Sequence, residues 1–106
     1  MDSEKYKRLH RDLVEKASII VDKKGHDYGD EDRLRNFKDV AEMWSILTGK
    51  KMTPAEAALF LLLLKVDRYV NLAKKGEKAE NEPITDTVID GINYWILMEA
   101  CRIDQT

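Results

Sequence analysis

The sequence is poor in the residues on which disulfide-rich and β-rich domains depend. Its 106 residues include one cysteine, two prolines and five glycines, so an intramolecular disulfide is excluded and a framework of many tight turns is not favoured. The first twelve residues, MDSEKYKRLHRD, are too polar for a signal peptide. The longest apolar run, Ala57 to Leu64, is far short of the roughly 20 residues that cross a bilayer. We therefore expect a cytoplasmic protein that has no membrane partner.

The sequence also lacks an excess of charge of either sign. Eighteen lysines and arginines oppose twenty aspartates and glutamates, which gives a formal net charge of -2. This balance argues against binding of extended nucleic acid by bulk positive charge, so any contact with phosphate has to be local. Hydrophobic residues make up 43% of the chain, and the scarcity of glycine and proline favours long helices. We expect one all-α domain over residues 1–106, a bundle of four to five helices.

Two amphipathic helices are predicted in the first half of the chain. Apolar residues recur at helical spacing from Tyr6 to Val21, and the following Lys23-Lys24-Gly25 is typical of a basic last turn with a left-handed cap. A second stripe extends from Phe37 to Leu47 and stops before Gly49. The segment between the two stripes therefore reads as a loop.

The third predicted helix has the clearest start signal in the sequence. Thr53 is an N-cap residue, Pro54 takes the first helical position, and Glu56 completes a capping box. The helix is apolar almost all round as far as Lys74, so we expect a central helix that another subunit covers in part, in a homodimer or homotetramer. A polar connector, EKAENEP, separates it from a fourth helix over about Thr85 to Ile103.

The sequence His26-Asp27-Tyr28-Gly29 is the first candidate for chemistry. An ordered loop of this composition can present an aromatic face and a carboxylate to a base or a ribose. A turn that caps a helix explains the same residues, because aspartate and glycine are common in turns for local reasons. Both readings stay open at this point.

Charged residues on two apolar helices form the second candidate. Lys65 and Arg68 lie three residues apart on the third helix, where burial without partners would cost several kcal/mol per group. Asp86 and Asp90 form a matching acidic stripe on the fourth helix, which continues to Asn93. One interpretation is an ion-pair network between the two helices. The other is a site in which the cations meet phosphate oxygens and the carboxylates hold a divalent cation.

The third candidate is an acidic pair, Asp39 and Glu42, on the second helix. A solvated helix face explains the pair. Alternatively, Asp39 or Glu42 supplies a third carboxylate for a metal ion that Asp86 and Asp90 hold, and Glu42 is the residue that we assign to this role.

The segment from about Lys23 to Arg102 resembles the small phage and bacterial proteins of the MazG-like group, in particular the nucleotide-modification-associated branch of the DUF1599/DUF6378 type. The positions that carry the resemblance are Asp27-Tyr28-Gly29, Asn36-Phe37, Trp44, Lys65, Arg68, Asp86, Asp90 and Tyr94. The resemblance implies an all-α fold like that of nucleoside triphosphate pyrophosphohydrolases, assembled as a dimer or tetramer, with a nucleotide site between helices.

The resemblance and the residue patterns described above together lead us to expect roles for individual residues. Asp86 and Asp90 would be catalytic and, with Glu42, would hold Mg²⁺. The nucleotide-binding residues would be His26, Asp27, Tyr28, Gly29, Asn36, Phe37, Lys65, Arg68, Asn93 and Tyr94.

One departure from the MazG-type pattern bears on whether the protein hydrolyses a nucleotide or only binds it. Those enzymes hold their metal with a Glu-x-x-Glu pair on one helix and a Glu-x-x-Asp pair on another, whereas this chain has Lys65 and Arg68 at the first pair. The leading hypothesis is a Mg²⁺-dependent hydrolase of a nucleoside triphosphate or related nucleotide. The alternative is a phage-type anti-defence protein that sequesters a cyclic or ADP-ribose-derived immune signal without cleaving it. A purely structural helical module is the third class.

Overall fold

The chain folds into four helices in the computed structural model, which describes the backbone of residues 1–28, 32–76 and 81–104 and the side chains of residues 1–24, 32–76 and 84–104. The helices are α1 (Ser3–Tyr28), α2 (Arg35–Thr48), α3 (Pro54–Lys74) and α4 (Asn81–Ile103). Within the described ranges there is no strand, so the all-α expectation with four helices is confirmed. No helix in these ranges is long and apolar enough to cross a membrane.

The predicted signals around Gly49 and Thr53 act as the sequence indicates. Gly49 ends α2 in the left-handed region at φ 71° and its N–H donates to the carbonyl of Ser45. The hydroxyl of Thr53 accepts from the N–H of Glu56 at 3.1 Å, and the Glu56 carboxylate accepts from the N–H of Thr53 at 3.0 Å. The reciprocal capping box therefore fixes where α3 begins.

Two helix boundaries differ from the prediction. Helix α1 does not end at Gly25 but continues to Tyr28, because a glycine inside a helix costs only about 1 kcal/mol and the backbone hydrogen bonds carry on past it. Helix α4 begins at Asn81 rather than near Thr85, so part of the predicted connector is helical. Pro83 falls in the first turn of α4, where the missing N–H has no partner within the helix.

Packing is centred on α3, which contacts α4 most extensively and α2 on another side, while α1 rests on α4. The core lies where the start of α2, the start of α3 and the end of α4 meet. Its buried members are Leu34, Phe37, Ala57, Ala58 and Cys101. This placement brings the segment before α2 against the carboxyl end of α4.

Lys38 reinforces that junction through two carboxylates. Its ammonium contacts Asp32 Oδ2 at 2.6 Å and Asp104 Oδ2 at 3.2 Å, while Asp32 Oδ1 accepts from the N–H of Leu34 at 2.9 Å. The hydrogen bond from Lys38 lowers the pKa of Asp32, and the same bond raises the pKa of Lys38. The start of α2 is thereby held to the end of α4 by charge as well as by apolar packing.

A single copy leaves much apolar surface uncovered. The accessible surface is 8354 Å², roughly 2,000 Å² more than the area expected for a compact monomer of 12.3 kDa. The radius of gyration is 16.2 Å, against about 13 Å for a compact domain of this length. A continuous part of the uncovered surface, which we call the α2–α3 apolar face, consists of Val40, Met43, Trp44, Leu47, Leu59, Phe60 and Leu63.

The expectation that α3 is central is thus met on one side of the helix. Ala57, Ala58 and Leu62 are buried, whereas Phe60 and Leu63 on the opposite side are 53% and 51% exposed. The rings of Trp44 and Phe60 lie 6.1 Å apart, which joins the exposed sides of α2 and α3 into one surface.

Candidate functional site

An open groove of about 630 Å³ lies along the second half of α3, where α4 contributes an aromatic ring. This volume is within the range of small-molecule sites, about 300–1,000 Å³. We call it the α3–α4 groove, and its lining residues are Leu61, Leu64, Lys65, Asp67, Arg68, Asn71, Leu72, Lys75 and Tyr94. Three of the predicted nucleotide-binding residues, Lys65, Arg68 and Tyr94, are therefore gathered in one place.

Of the two basic residues of α3 that were expected to pair with carboxylates of α4, Lys65 forms an ion pair and Arg68 does not. Lys65 Nζ lies 3.1 Å from Asp90 Oδ2, and the two side chains are 29% and 33% exposed. This ion pair confirms the expected contact of the basic stripe with the acidic one. Arg68 is exposed and forms no ion pair with any described residue, and the expected contact between Arg68 and Asp86 is not made.

Three polar groove residues, Asp67, Asn71 and Lys75, were not predicted as site residues from the sequence. Lys75 is exposed and has no ion pair in the described part of the chain, and Asn71 donates to Asp67 Oδ2 at 3.3 Å. The signal for Lys75 was available, because its spacing of seven residues from Arg68 and ten from Lys65 returns to the same side of a helix. The position of Lys75 between Lys74 and Gly76 indicates the end of the helix instead.

The Asn36-Phe37 pair lies at the other end of the α3–α4 helix pair. Phe37 is 3% exposed and packs in the core cluster with Ala57 and Ala58, so its ring contacts protein. Lys65 follows Ala58 by seven residues, about 10 Å along the helix, and Arg68 is about 15 Å along. One copy of the chain therefore does not bring Asn36 and Phe37 to the groove.

Asn93 holds two helices together. Its side-chain amide donates to the backbone carbonyl of Ala17 at 3.2 Å, which ties the middle of α1 to α4. Nothing in this contact involves the groove.

The predicted loop at His26, Asp27 and Tyr28 is the last turn of α1 instead, and that part of the prediction is wrong. Their side chains, and Gly29, lie outside the described parts of the chain.

The sequence matches a known protein family. The model of a domain of unknown function (DUF6378) matches residues 12–102. The chain belongs to the DUF6378 family. The Gene 55 protein of Mycobacterium phage L5 is similar, with 28% identity over 94 residues that cover 88% of this chain and 53% of that protein. The DUF6378 chain thus spans about half the length of this phage relative. No solved structure matches it.

The resemblance to MazG-type enzymes implies Mg²⁺, for which the carboxylates of this DUF6378 chain would be the ligands. Magnesium between protein and phosphates needs several carboxylate oxygens. Among the described residues, no group of three or more Asp, Glu, His or Cys side chains is placed to hold a metal ion, so Glu42, Asp86 and Asp90 do not form one. Asp90 is also engaged by Lys65. The described residues of one copy therefore do not assemble the three-carboxylate site expected from Glu42, Asp86 and Asp90.

Proposed function

We propose that this DUF6378 protein binds a nucleotide in the α3–α4 groove and holds it through its phosphate groups. The observation that carries the proposal is the pair of cations, Arg68 and Lys75, that line the groove without a counter-ion among the described residues. Arginine in particular offers a planar set of donors that matches phosphate oxygens. The lining carboxylate, Asp67, accepts from Asn71 and forms no ion pair with either cation, so an anionic ligand would supply their counter-charge.

The remaining lining gives the ligand an orientation. Tyr94 is half-buried against the core and provides an aromatic side for a base, while Leu61, Leu64 and Leu72 add apolar surface to the lining. Lys65 is restrained by Asp90 at 3.1 Å, so its ammonium is held near the groove at little further cost in side-chain entropy. Among the described residues, the lining holds one carboxylate, Asp67, and no cluster of three metal ligands for a metal-activated water, which favours binding of an intact nucleotide over its hydrolysis.

Sequestration is accordingly the function we favour, with a nucleoside triphosphate, a cyclic dinucleotide or an ADP-ribose derivative as ligand. The direct experiment is calorimetric titration with a panel of these compounds, once in EDTA and once in Mg²⁺, followed by chromatography of the recovered ligand. We expect binding in EDTA and full recovery. Cleavage that requires Mg²⁺ would instead support the hydrolase, and no binding across the panel would leave a structural role.

The contribution of the groove is tested with matched variants. Arg68→Ala and Lys75→Ala should each weaken binding by about tenfold or more, because each removes a charge-assisted contact. Lys74→Ala is the control, since it removes the same charge one residue away from Lys75 but outside the groove lining. Equal losses in the Lys74 and Lys75 variants would show that ligand binding reflects net charge and not the groove.

We also propose that the protein acts as a homo-oligomer in which the α2–α3 apolar face is covered by a second copy. Its support is the surface excess of roughly 2,000 Å², compared with about 800 Å² per partner in a standard interface. A molar mass of 12.3 kDa by light scattering at micromolar concentration would contradict this proposal.

A further inference from the structure

The first part of α1 projects from the body of the protein. Side chains 1–12 are all exposed, and Leu13 is the first in the chain to be partly covered. Ala17 is 3% exposed and accepts the hydrogen bond from Asn93 that ties α1 to α4. We call residues 3–12 the α1 arm. It is a helical segment that the rest of its own chain does not cover.

The arm carries the same apolar stripe that packs on α4 farther along the helix. Tyr6, Leu9, Leu13, Ala17 and Ile20 follow one another at intervals of three and four residues, which places them on one face. Ala17 is buried and both Leu13 and Ile20 are half-buried, whereas Tyr6 is 59% and Leu9 is 43% exposed. The packed surface of α1 thus continues into the arm without a partner.

Helices in proteins gain most of their stability from packing of an apolar face, which the arm lacks within its own chain. An N-cap such as the one Asp2 provides to the N–H of Lys5 at 2.8 Å contributes only about 1 kcal/mol. The exposed surface also has room for a second contact. The excess of roughly 2,000 Å² is more than twice what one standard interface covers on one partner, so it leaves area for a second contact beside the α2–α3 apolar face.

We propose that the α1 arm pairs antiparallel with the α1 arm of a second copy, about a two-fold axis near Leu9. Such an interface is self-complementary, so one stripe supplies both sides. Lys5 and Asp12 lie on the same flank of the stripe, four and three residues from Leu9 in opposite directions. Antiparallel pairing therefore places each Lys5 level with the partner's Asp12. Lys7 and Arg11 are on the opposite side of the helix, which keeps the like charges apart.

Asp12 has a contact of its own that is compatible with this arrangement. It pairs with Lys16 through Oδ2 at 3.1 Å, with both side chains about half exposed, 53% and 52%. Exposed pairs of this kind are weak, and the second carboxylate oxygen remains for the partner's Lys5. The pairing is separate from the groove, so it stands or fails independently of nucleotide binding.

Disulfide cross-linking tests the pairing directly. The native Cys101 is 7% exposed, so the unmodified chain should not cross-link. In the full chain, Leu9→Cys should form a covalent dimer rapidly under mild oxidation, because the two-fold axis brings the new thiols together. Arg11→Cys, on the opposite face of the same helix, is the control and should not. Equal rates for the two variants, or no cross-link at Leu9→Cys, would overturn the proposal, including the case in which the arm docks elsewhere on the second copy.

Charge exchange tests the antiparallel direction. In the Leu9→Cys background, Lys5→Asp or Asp12→Lys alone should slow cross-linking by about two- to fivefold, since each turns an attractive pair into a repulsive one. The double variant should restore the rate. Lys7→Asp serves as the control for charge change on the far side. A double variant that cross-links no faster than the singles would overturn the antiparallel pairing.

Discussion

Phe37 and Phe60 lie in different environments, so the same substitution, phenylalanine to alanine, can test the core and the proposed interface independently. Phe37 is 3% exposed in the core cluster, whereas Phe60 is 53% exposed on the α2–α3 apolar face. Phe37→Ala removes a fully buried ring and leaves a cavity between α2, α3 and α4, for which the expected loss is about 3–5 kcal/mol. Phe60→Ala removes a ring that its own chain buries by half, so the loss within one chain is about 1–1.5 kcal/mol.

Protein concentration distinguishes these two losses. Association stabilises the folded state by mass action, in proportion to the logarithm of concentration. If a second copy covers Phe60, the cost of Phe60→Ala in the free energy of unfolding should grow with concentration, because only the unmodified chain gains from association. The cost of Phe37→Ala should stay the same, since all contacts of that ring are within the chain.

The assay is urea unfolding followed by circular dichroism at protein concentrations that differ about 100-fold, paired with light scattering. A Phe37→Ala loss under about 1 kcal/mol would refute the core assignment, since a buried ring cannot be removed so cheaply. A Phe60→Ala cost that does not change with concentration, in a chain that scatters as a monomer, would refute the interface on the α2–α3 apolar face.

Two further predictions concern the junction between α2 and α4. The pKa of Asp32 is lowered by its hydrogen bond from Lys38, so the contact stabilises the fold above the usual aspartate pKa of about 4 and is lost as the pH falls through the lower folded-state value. Acid titration of unfolding should therefore show a shallower loss of stability in Asp32→Asn than in the unmodified chain, and equal slopes would contradict this. Burial raises the pKa of the Cys101 thiol, which is 7% exposed, so a thiol reagent should label it slowly at neutral pH and rapidly in urea. Immediate labelling of the folded chain would show that the end of α4 is open.

Local signals in the sequence determined most of the secondary structure. The stop at Gly49 and the capping box of Thr53 and Glu56 depend on atoms within a few residues of each other, so they are visible in the sequence and occur as predicted. The end of α1 was not determined in this way. Glycine is common at helix ends but is also tolerated inside helices, so Gly25 does not by itself fix the end of α1. The continuation of the helix to Tyr28 depends on a small difference in free energy between ending and extending the helix, which a sequence pattern does not reveal.

The sequence also indicated that Lys65 needed a partner on α4, because the cost of an unpaired charge on an apolar helix follows from the pattern alone. Tertiary structure decided which partner it took. The antiparallel packing of α3 and α4 sets Lys65 level with Asp90 and leaves Arg68 facing the groove with Lys75. It places Phe37 in the core beside Ala58, which lies about 10 Å along α3 from Lys65. Helical periodicity specifies the side of a helix on which a residue lies. How far two helices slide along one another is fixed by the fit of their side chains, and that register determines which charges pair and which remain for a ligand.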